Sequence, residues 1–193
     1  MQADAKTLDL ILREARTHGD FQERAVSDEL LRAAHDLMKW GPTTANSQPA
    51  RIFYLRSKES RERLRPALGA VNVEKTMKAP LVALVAYDTR FYEHLPRLYH
   101  NPDAIKWYSP PDKAEINGFR NGTLQGAYLI IALRAVGLDC GAMSGFDNAK
   151  VDAAFFPDGR FKSNFLINIG YGTGKGLPPR NPRFSFDEQC RIL

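Results

Sequence analysis

Lys39-Trp40-Gly41-Pro42-Thr43-Thr44-Ala45-Asn46-Ser47-Gln48-Pro49-Ala50-Arg51 is the stretch on which the reading of this chain turns. A helix-like segment runs into it, and a strand-like one, Ile52 to Arg56, runs out of it. Between its two inner prolines stand only small, hydroxyl and amide residues. Such a loop can gather backbone N–H groups, Thr hydroxyls and an Asn amide around one flat polar ligand. The same composition also fits a plain turn.

Upstream, apolar positions 8, 10, 11, 12 and 15 predict a short helix over Leu8–Arg16. Ser27, followed by Asp28 and Glu29, reads as an N-cap with acidic residues in the first turn. Leu30, Leu31, Ala34, Leu37 and Met38 then repeat at helical spacing until Gly41-Pro42 stops the run. Downstream, strands are expected at Ile52–Arg56, Leu81–Tyr87 and Phe165–Gly170. The second is almost continuously apolar, as a central strand covered on both faces should be. A sign-alternating helix over Lys58–Arg65 and a second one over Asn72–Lys78 lie between the first two strands. Asp88–Pro111 reads as an irregular aromatic excursion that either covers a substrate or packs locally. Glu115–Val136 reads as a long helix with Leu124, Ala127, Tyr128, Ile131 and Ala135 on one face and Gly137 as its C-cap. Asp147 is expected to cap another helix through Ala154, and Pro178, Pro179 and Pro182 mark an extended tail. Helices on both sides of a few strands give an α+β fold of layers.

At 193 residues, 44% of them hydrophobic, the chain is expected to form one domain, 1–193. No apolar run reaches the roughly 18–20 residues a membrane span requires, and the first residues lack an apolar signal core, so a cytoplasmic, membrane-free protein is expected. Cys140 and Cys190 form no Cys-x-x-Cys pair and read as structural thiols. The histidines His18, His35, His94 and His100 have no ligand spacing, so no metal site is expected. The net charge of +5 is dispersed rather than interleaved with aromatics, which argues against nucleic acid. Gly170–Gly176 imitates a phosphate-binding P-loop, but only three residues separate Gly170 from Gly174-Lys175, and Gly176 follows the lysine. Asn121 and Gln125, four apart on the long helix, read as a helix-surface amide pair rather than as cofactor ligands.

Several of these stretches together carry a resemblance. Pro42, Thr43, Asn46, Gln48 and Pro49 fit the signature loop of the nitroreductase-like flavin enzymes, roughly Ala-Pro-Ser-x-x-Asn-x-Gln-Pro-Trp, with Ala50 at the usual Trp. Arg16-Thr17-His18-Gly19-Asp20-Phe21 resembles the family's Arg-x-Ser-x-Arg/Lys-x-Phe segment, with His18 at the usual Ser and Asp20 at the usual base. Asn72 and Lys75 match the pair before the second strand. Gly141-Ala142-Met143-Ser144-Gly145-Phe146 matches the segment lining the flavin ring, and Leu166–Gly172 resembles the closing strand. Arg180 and Arg183 stand where relatives place a basic residue on the phosphate, Arg183 being the better match. Met38–Thr43, Phe119–Asn121 and Ser163–Gly172 resemble most the branch containing the malonic semialdehyde reductase of bacterial pyrimidine breakdown.

The resemblance implies a nitroreductase-like layered sheet flanked by helices, in a homodimer that builds its flavin sites from both subunits. It implies FMN as cofactor and NADH or NADPH as reductant. Its cofactor-binding residues would be Arg16, Thr17, His18, Pro42, Thr43, Thr44, Asn46, Asn72, Lys75, Ala142, Met143, Ser144, Gly145 and Arg183. No catalytic side chain is expected, because flavin N5 carries the chemistry. The acceptor implied is malonic semialdehyde, with nitroaromatic or quinone reduction as the alternative. A flavin-binding module without turnover and an interaction protein without cofactor are the competing classes.

Overall fold

Strand β2 (Leu81–Asp88) is buried at every residue, and the rest of the fold is arranged to cover it. In the computed structural model, which describes residues 2–193, β2 is flanked by β1 (Ala50–Leu55) and β4 (Phe161–Gly170), with β3 (Asp139–Met143) beyond β4. The order is β1-β2-β4-β3 and every neighbouring pair is antiparallel. In β2, residues 81, 83 and 85 face one layer and residues 82, 84 and 86 the other, as the period of two requires.

In chain order, the helices are α1 (Ala5–Leu8, continued by a wider turn over Asp9–Arg13), α2 (Asp28–Met38), α3 (Lys58–Leu64), α4 (Ala70–Lys78), α5 (Leu95–Leu98), α6 (Ala104–Tyr108), α7 (Pro111–Ala135), α8 (Asn148–Phe155) and α9 (Phe186–Gln189). Leu31, Ala34 and Met38 of α2, with Leu129, Ala132 and Leu133 of α7, pack on Leu81, Ala83, Val85, Ile167 and Ile169. Leu64, Val151 and Phe156 cover Val82, Leu84, Ala86 and Leu166 on the other face.

Helix α7 lies close to the sheet because its inner face is glycine. A Cβ on Gly118 would stand 2.8 Å from the Tyr87 ring, and one on Gly126 would stand 2.4 Å from Phe165 Cζ. Gly122, between them, would meet Tyr87 Cβ at 3.1 Å. The aromatic rings of the sheet occupy the space the helix leaves.

Both expected caps are present. Ser27 Oγ accepts from Leu30 N at 3.4 Å, and Asp147 Oδ1 accepts from Lys150 N at 3.1 Å. Gly137, at φ +83°, ends the long helix as anticipated. Other boundaries differ. The first helix spans Ala5–Arg13 rather than Leu8–Arg16, because Thr17 leaves it to bridge to Cys140. The last strand starts at Phe161, four residues before its apolar run, and α7 starts at Pro111, where proline suits a first turn. Residues 139–143, of which only 141–143 were read as part of a ligand-lining segment, form an edge strand held by its ladder to β4. Asp-Cys-Gly-Ala-Met contains no β-branched residue, so propensity gave no warning. The 88–111 excursion is largely helical, with a 3-10 turn over Phe91–His94 followed by α5 and α6. Cys140 is buried and its thiol is pushed up to about 12 by burial, in keeping with a packing role. Cys190 is exposed, which corrects its reading as a structural thiol. No helix among the described residues is long and apolar enough to cross a membrane.

The glycine face is directly testable. Gly126→Ala should destabilise the fold by about 1–3 kcal/mol through overpacking, seen as a lower thermal midpoint. Adding Phe165→Leu should recover part of that loss. An unchanged midpoint for the single variant would refute the close contact.

Candidate functional site

The signature loop holds three non-glycine residues in the left-handed region: Ala45 at φ 46°, Asn46 at 49° and Gln48 at 42°. Each such residue costs on the order of 1 kcal/mol or more, so the surroundings must impose the shape. The hydrogen bonds that do so come from α7 and from the excursion. Thr44 N donates to Asn121 Oδ1 at 2.8 Å, and Ala50 N donates to Gln125 Oε1 at 2.8 Å. Tyr128 donates its hydroxyl to Pro42 O at 3.0 Å. Thr44 Oγ1 lies 2.8 Å from the Tyr108 hydroxyl, and Asn46 Nδ2 donates to Leu98 O at 2.9 Å. Within the loop, Thr43 Oγ1 accepts from Gln48 N at 3.2 Å, and Asn46 Oδ1 accepts from Gln48 Nε2 at 3.0 Å. Asn121 and Gln125 are therefore buried braces of the loop, not a surface pair. Their four-residue spacing is shared with Gly118, Gly122 and Gly126, and a glycine-rich inner face was the signal that this side is covered.

A charged hub supports the loop from below. The buried carboxylate of Asp88 pairs with Arg51 Nη2 at 2.9 Å and Arg160 Nε at 2.8 Å, with His94 Nε2 at 3.4 Å. Arg51 Nη1 donates to Gln48 O at 3.0 Å and Ala50 O at 2.9 Å. Desolvation lowers the pKa of Arg51 below its ordinary value, and the Asp88 charge opposes that shift. Sequence reasoning gave neither residue a role. Their pairing joins β1 to β2 and has no local signature.

The second group of residues lies at the opposite edge of the sheet, around β3. Residues 16–22 form a strap: Thr17 bridges to Cys140, His18 N donates to Cys140 O at 2.9 Å, and Phe21 bridges to Gly172. The His18 side chain turns inward, with Nε2 3.4 Å from Asp139 Oδ1 and only 11% of the side chain exposed. Asp20 Oδ2 accepts from Thr173 Oγ1 at 2.5 Å, so it closes the strap onto the turn after β4. Ala142, Ser144 and Gly145 are exposed at the end of β3, with Met143 half-buried between them. Asn72 Nδ2 donates to Gly145 O at 2.8 Å, and Gly69 N donates to the same oxygen at 2.9 Å. A Cβ at 145 would stand 2.5 Å from Asn72 Nδ2, so a side chain there would displace the Asn72 amide. Lys75 is half-buried beside the strap, its Cδ 3.9 Å from the place of a Cβ on Gly19.

At the start of the strap, Arg16, Thr17, Arg134, Arg180 and Arg183 line a cavity of about 390 Å³ with Pro178. Arg16 donates to Pro178 O, and Arg180 donates to Ala15 O at 3.4 Å, so strap and tail hold each other. Arg134 Nε is buried without a partner. Four guanidiniums, one with an unused buried donor, suit a multiply charged oxyanion such as a phosphate. The exposed β3 end and Lys75 suit the polar edge of a flat ligand.

The sequence model of the nitroreductase family matches residues 12–171. The chain belongs to the nitroreductase family. Among solved structures it is similar to a nitroreductase family protein of Streptococcus pneumoniae, with 23% identity, a TM-score of 0.81, and coverage of 96% of this chain and 99% of that one. A candidate nitroreductase of Exiguobacterium sibiricum, solved in complex with FMN, superposes at TM-score 0.85 with 18% identity, covering 100% and 99%. A candidate NAD(P)H:FMN oxidoreductase of Staphylococcus epidermidis does so at 0.82 with 16% identity, covering 100% and 98%. The nitroreductase fold is thus shared along the whole length, although few residues are.

In this nitroreductase-family chain the expected site residues separate into two groups. Arg16, Thr17, His18, Asn72, Lys75, Ala142–Gly145 and Arg183 cluster around β3. Pro42, Thr43, Thr44 and Asn46 gather beyond the start of β1. β1 and β3 are the two edges of the sheet, three strand spacings or about 14 Å apart. Arg180, the weaker of the two arginines expected on the phosphate, lines the pocket with Arg183, and Arg134 is an addition that sequence reading did not place there.

Asn121→Ala would leave Thr44 N without its acceptor. We expect a loss of about 1–3 kcal/mol, whereas Asn117→Ala, with an amide bonded only to Lys113 O on the helix surface, should stay within about 0.5 kcal/mol. Equal thermal midpoints for the two variants would sink the bracing role.

Proposed function

We propose that the chain is one flavin-binding domain, 1–193, and works as an FMN-dependent NAD(P)H oxidoreductase that reduces malonic semialdehyde to 3-hydroxypropionate in pyrimidine degradation. The observation that carries the flavin reading is the guanidinium cavity at the head of the strap, whose Thr17 bridges to Cys140 of β3. Arg16, Thr17 and Arg183, aided by Arg134 and Arg180, would hold the phosphate. Ala142, Met143, Ser144 and Gly145 would line the ring, and His18 would hold the strap against β3. Asn72, spent on Gly145 O, shapes that lining, and Lys75 supplies positive charge for the pyrimidine edge. When bound, FMN supplies the two-electron chemistry, accepting a hydride from NAD(P)H and delivering it to the acceptor. A proton from solvent completes the alcohol.

Pro42, Thr43, Thr44 and Asn46 belong to the site through a second copy, because in one chain they lie at the far edge of the sheet. A homodimer brings the signature loop of one protomer to the β3 edge of its partner. Exposed Leu37, Trp40, Ile116, Phe119 and Leu124 supply apolar surface for that association. Malonic semialdehyde is favoured as acceptor by the resemblance of Met38–Thr43, Phe119–Asn121 and Ser163–Gly172 to that branch of the family. Nitroaromatic or quinone reduction is the second reading. Trp107, half-exposed on an excursion tied to the loop by Tyr108, offers a stacking surface for an aromatic acceptor.

Anaerobic stopped-flow absorbance tests the activity. NADH or NADPH should bleach the FMN-loaded protein near 450 nm (roughly where oxidised flavins absorb), and malonic semialdehyde should restore the colour faster than a nitroaromatic. Faster return with the nitroaromatic would favour the second reading. Bound FMN that neither nicotinamide bleaches would leave a flavin-binding module without turnover. Hybrid dimers test the shared site: mixing Lys75→Met subunits with Thr44→Val subunits should regain activity that neither homodimer has. No recovery, together with a monomer that retains flavin on dilution, would place the whole site in one chain.

A further inference from the structure

His18 follows Arg16 and Thr17, two of the residues assigned to the phosphate, yet it does not line their cavity. Its backbone and its ring each fit against a glycine from a different element. The carbonyl of His18 lies 2.3 Å from the place of a Cβ on Gly141, in β3. Its Nδ1 lies 2.2 Å from the place of a Cβ on Gly172, in the turn after β4. Any side chain at either position would displace the strap.

Asp139 completes the seat. One carboxylate oxygen faces His18 Nε2 at 3.4 Å, and the other accepts from Gly172 N at 2.8 Å. The same carboxylate therefore holds both the turn and the ring that rests on it. Phe21 borders the ring on the strap side, with centroids 6.4 Å apart. The atom that meets Asp139 is at the far end of the imidazole. A serine, whose hydroxyl ends at the γ position, neither fills the space over Gly172 nor reaches Asp139. Position 18 in this chain is thus built for a ring directed into the protein.

We propose that His18 is a positioning residue for the cofactor's phosphate. Its ring locks the strap onto β3 and the Gly172 turn, and so sets Arg16 and Thr17 at the guanidinium cavity without itself touching the ligand. The inference rests on the FMN reading above. It predicts that loss of His18 weakens what the phosphate contributes and spares what the flavin ring contributes.

Riboflavin, which is FMN without the phosphate, separates the two. Dissociation constants for FMN and riboflavin would be measured by flavin fluorescence on the dimer, for the parent protein, His18→Ser and Gly172→Ala. Gly172→Ala keeps the imidazole and intrudes on its seat, so it carries the test if His18→Ser does not fold. Both variants should lose FMN affinity about tenfold, the scale seen when an outer partner orienting a binding group is removed. Riboflavin affinity should change less than about threefold. Equal losses for both ligands would mean that His18 acts at the ring, and unchanged FMN affinity in folded variants would mean that the strap does not set the phosphate contacts. Either result overturns the proposal. A parent protein that binds no FMN would instead overturn the functional reading, which keeps the two failures apart.

Discussion

The contact between the glycine face of α7 and the aromatic rings of the sheet is the constraint on which the remaining structure depends. Gly118, Gly122 and Gly126 bring the helix axis close enough for Tyr87 and Phe165 to occupy the places of the missing side chains. That approach buries the same side of the helix, so Asn121 and Gln125 end inside the protein within reach of the loop between α2 and β1. A helix held one side chain further out would leave Thr44 N and Ala50 N without acceptors. The loop's left-handed residues would then lack the bonds that impose their shape. Packing, bracing and the site therefore share one cause.

The site has two supports of different chemistry. Under the loop, Asp88 gathers two guanidiniums and a histidine in a buried network, and Arg51 passes its hold to the carbonyls of Gln48 and Ala50. At the other edge of the sheet the strap is held mainly by backbone bridges and by fit against glycine. A buried carboxylate with several partners fixes direction, because removing one partner leaves an uncompensated charge. Glycine seats fix distance, because they permit contact closer than a side chain allows. The first suits a loop that must keep an unusual shape, and the second suits a strap that must lie flat.

How legible these features were depended on whether their cause was local. The α2 cap, the buried run of β2, the C-cap at Gly137 and the helix after Asp147 are written in adjacent residues and were read correctly. The layered α+β architecture followed from them, and the nitroreductase family from ordered motifs. Strand β3 escaped because its five residues carry no strand propensity and are held by the ladder to β4. The buried roles of Asn121, Gln125, Arg51 and Asp88 escaped because each is defined by a partner far along the chain. The excursion was recognised as aromatic, but its helices are shaped by contacts to the loop rather than by periodicity. The separation of the site residues into two groups was also invisible in sequence, where motif order says nothing about which sheet edge each motif reaches.

The backbone of Ala45, Asn46 and Gln48 has a consequence for how the loop meets a ligand. Left-handed geometry is costly for these residues, so the loop keeps it only while its braces impose it. Its braces hold it in that one shape. A ligand thus encounters a finished surface and loses little freedom in ordering it, and binding energy goes into contact rather than into moulding the protein. The same stiffness limits adaptation. A molecule of slightly different outline must be accommodated by the excursion rather than by the loop, whose shape its braces hold.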